Sequence, residues 1–116
     1  MTELELARAA AKALDSKKAL DLKILRITEL SVIADYFVIA TGTSNTQVKA
    51  LADEVEFRLK EQGVAPGHIE GYHSNSWVLL DYGSVVVHVF TPESRNFYDL
   101  DRLWKDGEEV DPGLSE

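Results

Sequence analysis

The chain of 116 residues predicts an α/β or α+β fold, in which helices pack against one β-sheet. Three observations carry that expectation. Apolar residues recur at helical spacing in two long stretches, one of them between clear start and stop signals. Short apolar runs bounded by glycine, proline and asparagine lie between the helical stretches and read as strands. The elements follow in the order helix, two strands, helix, two or three strands, helix, with no internal repeat and no linker.

Residues 3–14 read as the first helix, with Leu6, Ala10, Ala13 and Leu14 on one stripe. Lys17 and Lys18 follow near its negative pole. Residues 21–28 read as a strand: Lys23, Leu25 and Ile27 point one way, and Leu22, Ile24 and Arg26 the other. A charge on each face points to an edge position. The sequence ELSVIA then forms a turn or a short helical piece, and residues 35–41 are a second strand. The nearly continuous apolar run there is that of a strand covered on both faces.

The strongest local signal comes next. Gly42 breaks the strand, Ser44 caps a helix, and Gln47 stands three positions later as in a capping box. Val48, Leu51, Ala52, Val55 and Leu59 continue at helical spacing, and Gly63 provides the left-handed stop, so the second helix spans residues 44–62. Residues 64–76 are loop, with room for a short strand at 68–71. Residues 77–82 and 84–91 form an antiparallel hairpin closed at Tyr82-Gly83-Ser84. Pro92 ends its second strand, and Ser94 caps a last helix over residues 95–105. The domain is expected to span residues 1–105, and the acidic tail 106–116 to be disordered.

The composition narrows the function. The chain has no cysteine, so it holds no disulfide and no thiolate metal site. Its N-terminus lacks the contiguous apolar core of a signal peptide, and no apolar run reaches the roughly 20 residues that span a bilayer. A soluble, cytoplasmic protein is expected. The net charge of -8 and sequence pI near 4.8 repel phosphate backbones, so no direct nucleic-acid contact is expected. A basic protein partner fits that field, although a mildly acidic balance also serves solubility alone.

Three groups of residues bear on possible chemistry. The Gly42-Thr43-Ser44 turn precedes a helix N-terminus and offers backbone N–H groups to a phosphate. Nucleotidyl transfer also needs two close carboxylates for magnesium, and Asp81 stands with Leu79, not a second acid, at the matching strand position. The turn therefore reads first as a helix cap. His68, Glu70 and His73 form no recognised ligand pattern. His88 lies inside the apolar strand VVVHVF with no serine or cysteine nucleophile set beside it, so it reads as a core or interface residue, with Asp81 a candidate partner across the hairpin. No enzyme activity, cofactor or metal is expected.

Binding is better supplied. Both faces of the strand at 77–82 are largely apolar, so helices or a partner must cover both. Phe97, Tyr98, Leu100, Leu103 and Trp104 crowd the last helix beyond what one core stripe needs. Tryptophan and tyrosine are favoured interface anchors.

The segments TGTS (41–44), EG (70–71), WVLLDYG (77–83), VVVHVF (85–90) and ESRNFYDLDRLW (93–104) together resemble the ribosomal silencing factor family, also called the Iojap or RsfS family. The resemblance runs from about residue 34 to 104. It implies a mixed sheet of about five strands with nucleotidyltransferase-like topology and no catalytic site. It also implies a translational repressor that binds a protein of the large ribosomal subunit at the inter-subunit face and blocks joining of the small subunit. Such proteins are commonly homodimers when free. By motif position, Trp77, Leu80, Asp81, His88, Arg95, Tyr98 and Leu100 are the partner-binding candidates. The chain departs from the family pattern at Thr46, Ser84 and Asp101. The alternative is a minimal nucleotidyltransferase-like enzyme that binds nucleotide at Gly42–Ser44.

Overall fold

A computed structural model describes residues 1–114. Helix α1 (Glu3–Ser16) is followed by β1 (Leu20–Arg26), β2 (Tyr36–Thr41), α2 (Asn45–Glu61), β3 (His68–Glu70), β4 (Trp77–Asp81), β5 (Val85–Phe90), α3 (Pro92–Tyr98), α4 (Leu100–Leu103) and β6 (Glu108–Val110). The six strands form one sheet in the order β3-β4-β5-β2-β1-β6. Only the central β2–β5 pair is parallel, and the other four pairings are antiparallel. The mixed α+β architecture is the expected one, with six strands where about five were expected.

Local chemistry explains the element boundaries. Thr2 and Glu5 form a reciprocal capping box at the start of α1. At α2, Ser44 Oγ accepts the Gln47 N–H, but the Gln47 carboxamide oxygen accepts from the Thr43 N–H at 2.5 Å and the Thr43 hydroxyl at 2.7 Å. The reciprocal half of the box has slipped one residue upstream. Thr91, not Ser94, caps α3: its hydroxyl oxygen accepts the Ser94 N–H, and Pro92 takes the first helical position, where its missing N–H costs nothing. The last helix is broken where one helix was expected. Asp99 adopts the left-handed conformation, φ 51° and ψ 53°, ending α3 and turning the chain into α4.

The acidic segment after Lys105 corrects two expectations. Residues 108–110 are a strand rather than disordered, paired with Ile24, Leu25 and Arg26 of β1. Strand β1 is therefore interior to the sheet, and β6 takes the edge. The charges that suggested an edge are met in place: Arg26 faces Glu108 at 3.7 Å, and Lys23 pairs with Asp101 at 3.0 Å. The remainder of the predicted tail, residues 115–116, lies outside the described residues.

The two faces of the sheet are covered unequally. Helices α1 and α2 lie on one face and bury Ile24, Val38, Ala40, Val78, Leu80, Val85, Val87 and Val89 with their own apolar stripes. On the other face the buried cluster is smaller: Leu25, Ile27, Ala34, Ile39, Phe90 and Leu100, flanked by the partly buried Phe37, Trp77, Val86 and Trp104. Only the short helices α3 and α4 lie beside that second cluster, because Asp99 interrupts what would have been one long covering helix.

Candidate functional site

The thinly covered face is the candidate site. Register aligns its side chains in rows. Trp77 lies opposite Phe90, Leu79 opposite His88 and then Ile39, and Asp81 opposite Val86, Phe37 and Leu25. The indole of Trp77 stacks on Phe90 with centroids 5.0 Å apart and meets the Tyr98 ring at 4.5 Å. Phe97 packs edge-on against Tyr98 at 5.0 Å. Tyr98 is 47% exposed, Phe97 80% and Leu103 69%, so α3 and α4 present an aromatic and aliphatic ridge to solvent. Exposed apolar side chains clustered in this way make the face a candidate interaction surface.

His88 lies beneath this surface, buried in the middle strand. The Trp77 Nε1–H donates to His88 Nδ1 at 3.1 Å, which places the imidazole proton on Nε2. The Phe37 ring meets the imidazole edge-on at 4.6 Å. Burial among these rings holds the His88 pKa down to about 4. At pH 7 it is a neutral aromatic spacer in the sheet, with Nδ1 occupied by the Trp77 N–H. Its expected partner, Asp81, lies opposite Val86 and accepts the Gly83 N–H at 2.8 Å, closing the hairpin turn.

Arg95 and Asp101 brace the ridge from below. The Arg95 guanidinium donates to both oxygens of Asp101, at 2.8 and 3.0 Å, and to Thr41 Oγ1 at 2.8 Å. Asp101 also pairs with Lys23. Hydrogen bonds from Arg95, opposed by partial burial and reinforced by Lys23, bring the Asp101 pKa down to about 2. The network ties α3 to α4 across the Asp99 kink and pins both to β1 and β2.

The structure thus separates the seven partner-binding candidates. Trp77 and Tyr98 share the exposed face, with His88 directly under them. Arg95 and Leu100 are buried supports, at 9% and 8% exposure. Asp81 caps a turn at the end of β4. Leu80 points to the opposite face and is sealed in the core under α1 and α2, because side chains alternate along a strand. Sequence reasoning missed Phe97 as a surface residue, Asp101 as a brace, and the loop between β1 and β2, where Val32 and Ile33 are almost fully exposed. Two adjacent aliphatics in a segment read as a turn were the available signal for the last of these.

The Gly42–Ser44 turn is differently built from a phosphate cradle. The Thr43 N–H and hydroxyl already bind the Gln47 side chain. Gly42 is held tightly against α2, since a Cβ there would sit 3.0 Å from Val48. The three residues His68, Glu70 and His73 resolve into one contact, His68 Nε2 to Glu70 Oε2 at 2.6 Å.

A family model described as "Ribosomal silencing factor during starvation" matches residues 1–116. The chain is 42% identical over 111 residues to the ribosomal silencing factor of Halalkalibacterium halodurans, covering 96% of this chain and 95% of that one. A more distant relative from Mus musculus, 32% identical over 94 residues, covers 78% of this chain and 41% of that one; it is named "Mitochondrial assembly of ribosomal large subunit protein 1". Among solved structures, a protein of Chromobacterium violaceum superposes with a TM-score of 0.88 at 40% identity, covering 99% of this chain and 95% of that one. With a family match over its whole length and this level of identity, the chain belongs to the ribosomal silencing factor family.

Proposed function

We propose that the chain is a translational repressor that docks through the thinly covered sheet face onto a protein of the large ribosomal subunit, at the surface where the small subunit joins. Family membership supports a ribosome-associated, translation-regulating role. The mouse relative, named for assembly of the mitochondrial large ribosomal subunit, supports the large subunit as the partner. The observation that carries the docking reading is the exposed ridge of Phe97, Tyr98 and Leu103 beside a half-buried Trp77, on a face where two short helices do the work that two long helices do on the other.

Repression by this route needs no reaction. Subunit joining requires close, continuous contact, and a folded domain with a radius of gyration of 12.7 Å cannot fit into it. Occupancy then follows affinity and concentration. The net charge of -8 favours a basic protein surface over bare phosphate. In the absence of the ribosome the same apolar face would be covered by a second copy, giving a homodimer, and the protein acts in the cytoplasm with no cofactor.

The test is sedimentation with separated ribosomal subunits. The chain should travel with the large subunit and prevent joining when the small one is added. Tyr98→Ala should weaken binding at least about tenfold, as interface aromatic anchors do, while its melting temperature stays near that of the parent. Failure to bind the large subunit, coupled with magnesium-dependent nucleotide binding, would instead favour the enzyme reading.

A further inference from the structure

A groove opens at the β4 end of the docking face, between the loop that joins β3 to β4 and the ridge of α3. Trp77, Leu79 and Tyr98 form its apolar wall, and Glu70, Gly71, Ser74 and Ser76 form the polar one. Its volume is about 250 Å³, below the roughly 300–1,000 Å³ of pockets that hold drug-sized ligands. That is a space for one side chain. We infer that this groove receives a lysine or arginine side chain of the docked protein partner, with the aliphatic stem on Trp77, Leu79 and Tyr98 and the cationic head at the Glu70 carboxylate. The inference rests on the docking reading and names the chemistry of one of its contacts.

The charge at the mouth decides the occupant. Glu70 is exposed and touches His68, but no lysine or arginine among the described residues lies within ion-pair distance of it. An aliphatic side chain entering the groove would crowd water from that exposed carboxylate and offer it no cation in return. A phosphate would meet the carboxylate head-on. A basic side chain satisfies both walls at once: its methylenes cover the rings, and its head meets both the carboxylate and the ring faces.

The groove is also preformed. Asn45 Nδ2 donates to the Ser74 carbonyl at 3.1 Å, the Asn75 N–H to the Gly71 carbonyl at 3.0 Å, and the Thr91 N–H to the Ser76 carbonyl at 2.9 Å. These bonds anchor the loop to α2 and to the end of β5. A receptor held open in this way loses little freedom when filled.

The experiment measures binding of the full chain to isolated large ribosomal subunits at two salt concentrations. Three variants are compared with the parent: Glu70→Gln, Glu70→Lys and, as a control of equal charge change on the exposed end of α2, Glu61→Lys. Each is first checked for an unaltered melting temperature. Glu70→Gln is expected to weaken binding about tenfold and Glu70→Lys more, with a shallower salt dependence, while Glu61→Lys stays within about twofold. Two results overturn the inference and leave docking intact: parental affinity in Glu70→Lys, or an equal loss in Glu61→Lys, which would make the effect diffuse. If the parent chain itself fails to bind the subunit, the docking reading falls and this inference falls with it.

Discussion

Trp77 holds His88 by a hydrogen bond across the β4–β5 hairpin, indole N–H to imidazole Nδ1, at 3.1 Å. A residue of the candidate site is therefore also a structural donor to a buried acceptor. This divides two effects that a single alanine substitution would merge. Trp77→Phe keeps a ring on Phe90 and Tyr98 but leaves His88 Nδ1 unpaired, and should lower stability in urea by about 1–2 kcal/mol. Combined with His88→Leu, it should cost less than the sum of the two single changes by about 1 kcal/mol. Additivity within a few tenths would show that the bond contributes nothing.

His88 also sets an acid limit on stability. Its pKa is about 4 in the fold, against 6.5 when exposed. As pH falls through 6.5 the unfolded chain takes up a proton that the folded chain refuses, so stability drops with pH by up to about 1.4 kcal/mol per unit and levels off below about 4. The full loss is about 3 kcal/mol. His88→Gln should flatten the urea midpoint between pH 6.5 and 5. Asp101 acts in a separate, lower window: its pKa is depressed, so its contribution is present above 3.8 and lost as pH falls towards 2. An unchanged slope in His88→Gln would mean that another group titrates in the upper window.

Much of this architecture was legible from the chain. The stop at Gly63, the cap at Ser44 and the paired apolar faces of residues 77–82 follow from local rules, and the elements they define are present. What escaped has a common cause. Leu80 and Trp77 look equally apolar in sequence, and only the inventory of which helices cover which face separates a core residue from a surface one. Asp99 gave no sign of a helix break, because the left-handed conformation it adopts is uncommon for a residue other than glycine. The strand at 108–110 is three residues long and acidic. Its pairing is decided by an open edge at β1, more than eighty positions away, not by its own composition.

Gly71 and Gly63 give a controlled comparison of two glycines. Both have positive φ, 78° and 83°. A Cβ at Gly63 meets open space, whereas at Gly71 it would fall 1.9 Å from the Trp77 carbonyl oxygen. Gly63→Ala should cost about 1 kcal/mol, the ordinary penalty of a left-handed alanine. Gly71→Ala must displace the β3–β4 loop from β4, and should cost at least about 2 kcal/mol more while opening the groove beside Trp77. Thermal melting of the two variants side by side checks the difference, and equal shifts would contradict the close approach.

The Arg95–Asp101 brace predicts that charge, not size, holds the ridge. Asp101→Asn retains the shape but removes the anion from a nearly buried guanidinium, and should lower stability by about 2 kcal/mol, the scale of hydrogen bonds to charged groups. Arg95→Lys supplies one donor group where three directed bonds are made, and should fall short by a similar amount. Amide exchange would locate the effect. Protection should drop first in α3 and α4, with α1 and α2 unchanged, because the network ties only the former to the sheet. A uniform loss of protection would mean that the brace stabilises the whole fold and not the ridge.

Strand β6 protects an edge. It pairs with residues 24–26 of β1, sets Glu108 near Arg26, and leads to the Asp111 carbonyl, which accepts from Arg8 Nε at 3.0 Å. Removing residues 106–116 would uncover a seven-residue strand whose outer N–H and C=O groups then face water. Its Leu25 and Ile24 side chains remain packed, so the sheet itself should survive with a modest drop in melting temperature. The freed edge is a template for another strand. The truncated chain should therefore form concentration-dependent species larger than the homodimer by analytical ultracentrifugation, which the full chain does not form at the same concentration. Identical sedimentation of the two chains would show that β6 shields nothing, and that its pairing serves only to place the C-terminal residues against Arg8.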